Sequence, residues 1–124
     1  VKATKYKSAL DQWAYAVTHN QSYEVHRGTI RSWLHVSDLI AAIHVIIEKH
    51  DFNNYEVYEI GSEDYRTMES IAVMLGGQYK LVEPPSILTP IKKSDFSKIN
   101  ALGWKSRIVL EQGLVELQRW HSQK

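Results

Sequence analysis

Two arginines set around a glycine and a hydroxyl, next to an aromatic ring, form the stretch of this sequence best suited to gripping a ligand. The segment is His26-Arg27-Gly28-Thr29-Ile30-Arg31-Ser32-Trp33. A guanidinium is planar, permanently charged and matches a phosphate with paired N–H donors, so the chemistry implied by Arg27 and Arg31 is recognition of an anionic ligand. The competing reading is that both arginines pair with surface carboxylates. A second basic pair, Lys92-Lys93, follows a proline-rich stretch and either adds cationic point charges to such a site or stands solvated.

The catalytic inventory is otherwise thin. The six histidines, His19, His26, His35, His44, His50 and His121, are scattered. None pairs with another at the spacing of a helical zinc site, so each reads as structural or solvated. No Gly-x-Gly-x-x-Gly or Walker-type loop cradles a phosphate, and Gly76-Gly77 follows a helical stretch, where it reads as a C-terminal cap. No serine sits in a Gly-x-Ser-x-Gly elbow. With no cysteine there is no disulfide, thiolate metal site or thiol nucleophile, which fits a reducing compartment, and the cytoplasm is the expected location.

The elements that must position these residues alternate in type. Ser8-Ala9-Leu10-Asp11 has capping-box spacing, and Leu10, Trp13, Ala14 and Val17 mark the buried stripe of a helix ending near Asn20. Tyr23 to His26 reads as a short strand, Gly28 as a turn, and Ile30 to Val36 as extended chain. Ser37 or Asp38 opens a second helix through Lys49, with Asp38 as a cap. Its run from Leu39 to Ile47 leaves almost no polar face, so it must pack on something outside the sequence, an upstream domain or a second subunit. Val57 to Ile60 reads as a strand closed by Gly61, and Thr67 caps a third helix with Met68, Ile71, Ala72 and Leu75 inward. Tyr79 to Val82 is a further strand, and Pro84 to Pro90 is irregular. A short helix from Asp95 to Leu102 ends at Gly103, with Trp104 as a core anchor. A last helix runs from Leu110 to His121 with Leu114, Leu117 and Trp120 inward. The fold class is mixed α/β, in one domain.

The bulk numbers exclude several classes. At 124 residues, 44% hydrophobic and 23% charged, the chain is globular rather than disordered. A net charge of +1 offers no basic field for nucleic acid or an anionic membrane, so neither is an expected partner. The longest apolar run is interrupted by His44 and is too short for a bilayer. Val1 to Lys7 is basic with no apolar segment after it, so no signal peptide is expected.

The order of the segments carries more than any one of them. Arg31-Ser32-Trp33-Leu34-His35-Val36-Ser37-Asp38-Leu39 resembles the Arg-x-Trp/Phe-x-His/Tyr-Val-x-Asp segment of the extended short-chain dehydrogenases, the NAD-dependent epimerase/dehydratase family acting on nucleotide sugars. Val57-Tyr58-Glu59-Ile60-Gly61-Ser62 resembles that family's Val-Tyr-Asn-Ile-Gly-Ser strand. Lys92-Lys93-Ser94-Asp95-Phe96-Ser97-Lys98-Ile99, followed by Leu102-Gly103-Trp104, resembles its basic-x-x-Asp-x-Ser-Lys-x…Leu-Gly-Trp signature. Leu110-Glu111-Gln112-Gly113-Leu114 with Trp120 is similar to its closing helix. Glu59 in place of asparagine and Lys105-Ser106 without the usual proline depart from the pattern.

The resemblance covers the family's C-terminal, substrate-binding part, across residues 1–124 as a single portion. It implies that a Rossmann domain with the cofactor loop and the Tyr-x-x-x-Lys pair lies outside this chain, since no tyrosine here has a lysine four residues later. Residue by residue it gives Arg31 the diphosphate of a nucleotide-diphosphate sugar, a grip that burial against Trp33 would strengthen, while Arg27 remains a substrate-binding candidate from its own chemistry. Lys92 or Lys93 falls near the family's second phosphate-binding arginine, a point charge replacing a fork. NAD or NADP is implied for the complete enzyme and none for this chain, which is expected to be inactive alone. The alternative expectation is a non-enzymatic oligomeric module derived from the same family.

Overall fold

The structure is a computed structural model that describes residues 8–87 and 93–123, in which helices and short strands alternate as a mixed α/β fold. Helix α1 (Ala9–Thr18) starts where the Ser8 hydroxyl accepts the Asp11 N–H at 3.3 Å. The Asp11 carboxylate does not close a reciprocal capping box. It meets His121 Nε2 at 2.9 Å, so it ties α1 to the last helix. Strand β1 (Ser22–His26) alternates buried Tyr23 and Val25 with polar neighbours, as a half-covered strand should. It runs parallel to β4 (Gln78–Val82), with Tyr23 opposite Tyr79 and Val25 opposite Leu81. Helix α3 (Met68–Leu75) is capped by Thr67, and Gly76 and Gly77 end it at φ values of 75° and 77°, a region closed to most side chains. Helix α5 (Leu110–Ser122) packs against α1. Leu10, Trp13, Tyr23, Val25, Ile71 and Leu114 meet in the first core.

A second, smaller core lies beneath α2 (Val36–Lys49) and α4 (Ser97–Ala101), where Ala42, Phe96, Ile99 and Trp104 are buried together. Three expectations change here. Helix α2 is capped by His35, whose Nδ1 accepts the Ser37 N–H at 3.0 Å. Asp38 is inside the first turn and buried, and its Oδ2 accepts the backbone N–H groups of Arg107 at 3.0 Å and Ile108 at 2.9 Å. The extended stretch from Ile30 is a strand only over β2 (Ile30–Arg31), which pairs antiparallel with β3 (Arg66–Thr67).

Residues 57–60 form no ladder, because among the described residues no strand edge lies beside them. Tyr58 and Ile60 instead pack on the second core, and the Tyr58 hydroxyl meets His50 Nδ1 at 2.8 Å. On α5 the inward aromatic is not Trp120, which is 42% exposed, but its neighbour His121, which is 3% exposed. The helical phase that buries Leu114 carries residue 121, one turn-pair on, to the same face. Pro90 and Lys92 lie outside the described residues. No helix among the described residues is long and apolar enough to cross a membrane.

Candidate functional site

The β2–β3 ladder puts Arg31 directly opposite Arg66. Like charges facing each other across a ladder repel. Here Arg66 is neutralised by its own carboxylates, Asp64 at 2.8 Å and Glu111 at 2.6 Å, which hold its guanidinium firmly protonated. Arg31 is half-buried, and its Nη1 donates to the carbonyl of Ile30 at 2.8 Å. Beside it opens a cleft of about 330 Å³, to which Ser32, Gly61, Ser62, Tyr65, Ser94 and Phe96 contribute. Gly61 is required there. A Cβ at this position would stand 2.6 Å from the Phe96 ring, so any side chain would push the floor of the cleft apart.

A further wall comes from the 93–96 segment, of which Ser94 and Phe96 line the cleft. Its Ser94 N–H donates to the Tyr65 hydroxyl at 3.2 Å, and the Lys93 ammonium stands 5.3 Å above the centre of the Tyr65 ring. The next residue anchors the wall from behind. Asp95 donates its N–H to Glu59 Oε2 at 3.3 Å and accepts the Ser97 N–H at 2.9 Å, a bond that holds its carboxyl below the usual range. Lys98, the lysine of the Asp-x-Ser-Lys segment, pairs with Glu56. These two residues therefore fix the start of α4 rather than face the cleft.

Of the residues singled out in the sequence, Arg31 lines this cleft and Lys93 sits on the ring of Tyr65, which lines it too. Arg27 is exposed at the turn after β1 and pairs with Glu83 at 3.1 Å. Trp33 packs against the first core and lines a different cleft, with Leu10, His35 and Leu117. Tyr65 and Ser94 were not singled out. They are 29 residues apart, and although both stand among charged residues, Glu63-Asp64-Tyr65-Arg66 and Lys93-Ser94-Asp95, nothing in either local segment marks its pairing with the other. The histidines described so far serve as a cap, a core pair and a loop tie, and among the described residues no three His, Asp or Glu side chains could hold a metal ion.

No protein-family model matches the chain. Individual relatives do. A probable GDP-L-fucose synthase of Oryza sativa subsp. japonica is 36% identical over 98 residues, which are 74% of this chain and 29% of that protein. The UDP-glucose 4-epimerase of Thermotoga maritima, solved with UDP-glucose, shares the fold over 98% of this chain and 42% of its own, with a TM-score of 0.79 at 19% identity. The UDP-glucuronic acid 4-epimerase of Bacillus cereus, solved with UDP-glucuronic acid and NAD, matches over 94% of this chain and 40% of its own, with a TM-score of 0.83 at 17% identity. The chain thus spans about 29% of the length of the curated relatives it matches. Sequence identity to the synthase, the shared fold and the ordered motifs agree: the chain belongs to the extended short-chain dehydrogenases, the nucleotide-sugar epimerase/dehydratase family, and corresponds to their C-terminal part.

Proposed function

We propose that this chain is the nucleotide-sugar-binding part of an NAD(P)-dependent sugar epimerase or dehydratase. The observation that carries the reading is the cleft beside Arg31, built from the three segments that resemble the family's motifs: Arg31–Leu34, Ile60–Ser62 and Ser94–Phe96. Arg31 holds one phosphate of the diphosphate, and Lys93 supplies charge from the 93–96 wall, with Lys92 next to it in sequence. Trp33 buttresses the Arg31 strand from the first core.

The dinucleotide-binding domain, with the glycine-rich loop and Tyr-x-x-x-Lys, belongs to residues or a subunit outside this sequence. NAD or NADP bound there supplies hydride transfer to and from the sugar. This chain's contribution is to fix the remote diphosphate, so that binding energy orients the sugar. By itself the chain binds no nicotinamide and transfers no hydride. Solved neighbours carrying UDP-glucose, UDP-glucuronic acid and NAD support the ligand class.

The test is calorimetric titration of the chain with uridine or guanosine diphosphate. Saturable heat is expected, reduced at least tenfold in affinity by Arg31→Ala, since a charge-assisted bond contributes about 1.5–3 kcal/mol. Binding unaffected by Arg31→Ala would sink the reading. A second reading, a non-enzymatic oligomeric module, is favoured by the exposed apolar side chains of α2. It requires a stable oligomer with no nucleotide heat.

A further inference from the structure

Resting on the diphosphate reading of the Arg31 cleft, we infer that Tyr65 is the residue that positions the second cation and so makes the cleft select two phosphates over one. A lysine on an exposed loop is a flexible point charge with several rotatable bonds, and alone it gives little geometry to an anion. Tyr65 removes that freedom at two points. Its ring face takes the Lys93 ammonium at 5.3 Å, an attraction between a cation and the negative face of the ring. Its hydroxyl accepts the N–H of Ser94, the next residue, at 3.2 Å, so the loop that carries the lysine is fixed as well.

The tyrosine itself is held from both sides. It follows Asp64 and precedes Arg66, which pair with each other, and Arg66 also pairs with Glu111 on α5. Its side chain lines the same cleft as Arg31 and Ser94. One arginine fork binds a monophosphate as well as it binds half of a diphosphate. A second cation held at a fixed place adds affinity only for a ligand long enough to reach it. Tyr65 is thus a positioning residue acting through Lys93, with no contact to reacting atoms required.

Titration of the chain with inorganic phosphate and with pyrophosphate separates these roles. Pyrophosphate is expected to bind more tightly than phosphate. Lys93→Ala and Tyr65→Leu should each weaken pyrophosphate about three- to tenfold, weaken phosphate by clearly less, so that the preference between the two narrows, and keep the melting temperature. Tyr65→Phe, which keeps the ring and loses the hydroxyl, should retain most of the preference. If Arg31→Ala abolishes binding while Lys93→Ala or Tyr65→Leu binds pyrophosphate like the parent, the inference falls and the function above stands. If pyrophosphate does not bind, or binds regardless of Arg31, both fall.

Discussion

Asp38 is 5% exposed, takes the N–H groups of Arg107 and Ile108 on one carboxylate oxygen, and lends its backbone carbonyl to the Trp104 indole at 3.1 Å. One residue thereby satisfies one buried and two partly buried donors and ties α2 to the chain leading into α5. Removing the carboxylate leaves the two backbone donors without this partner, while the backbone carbonyl that holds Trp104 remains. Asp38→Ala should therefore lower the unfolding free energy by roughly 2–4 kcal/mol, and Asp38→Asn, which keeps an acceptor oxygen, by less. Urea denaturation of the variants gives both numbers. An unchanged midpoint for the alanine variant would show the bonds to be dispensable. In the sequence Asp38 reads as a helix cap, because position relative to the helix is all that local context reveals. Its true partners are 69 and 70 residues away. Arg31 drew notice in the sequence because the chemistry of a guanidinium is intrinsic to the residue, although Gly61, Tyr65, Ser94 and Phe96, which share its cleft, come from distant segments. Tyr65 did not, since its role exists only once a distant loop folds onto it.

At the scale of elements, the helices were legible and the strands only partly. The clearest helices carry an apolar stripe and a cap signal in local sequence, as Met68, Ile71, Ala72 and Leu75 behind Thr67 show, whereas α4 and α5 start without a side-chain cap. Two-residue strands carry no period, so β3 had no local signal and β2 was legible only as part of an extended stretch from Ile30 to Val36, while 57–60 has strand composition without a partner edge. The joint between β1 and α3 shows how packing sets a titration. Tyr23 is buried and donates its hydroxyl to the Gly76 carbonyl at 2.6 Å, the residue that ends α3. Burial, with Tyr79 nearby, pushes its phenol from 10.0 up to about 12. The folded state thus holds this proton more tightly than the unfolded chain does. The corresponding stability is fully present below about pH 10 and is lost as pH rises through about 12. Tyr23→Phe should cost about 1 kcal/mol at neutral pH and flatten the decline between pH 10 and 12. Urea midpoints of parent and variant across that range test it, and an identical alkaline decline in both would refute it.

The molecule as a whole is unevenly covered. Its first core is closed, with Val25, Ile71 and Ala72 at 0% exposure, whereas α2 shows solvent Val36 at 62%, Ile40 at 51%, Ile43 at 46% and Ile47 at 63%. Phe52, Tyr55 and Val57, in the segment that follows α2, are exposed as well, at 70%, 91% and 56%. Scattered apolar side chains on a surface mean nothing, but a continuous helical face with an unladdered segment after it is a surface made for cover. Taking each such side chain out of water contributes about 1.5–3 kcal/mol, enough across the face to drive association at modest concentration. None of the four anchors either core. The double variant Ile40→Lys, Ile47→Glu should therefore suppress self-association of the isolated chain in light scattering while leaving its thermal midpoint within a few degrees of the parent. A parent chain that stays monomeric at high concentration would show that this face tolerates water. A variant that melts far lower would show that the face already belongs to the core. Suppressed association at unchanged stability is the result required if α2 is the side on which the rest of a two-part enzyme sits.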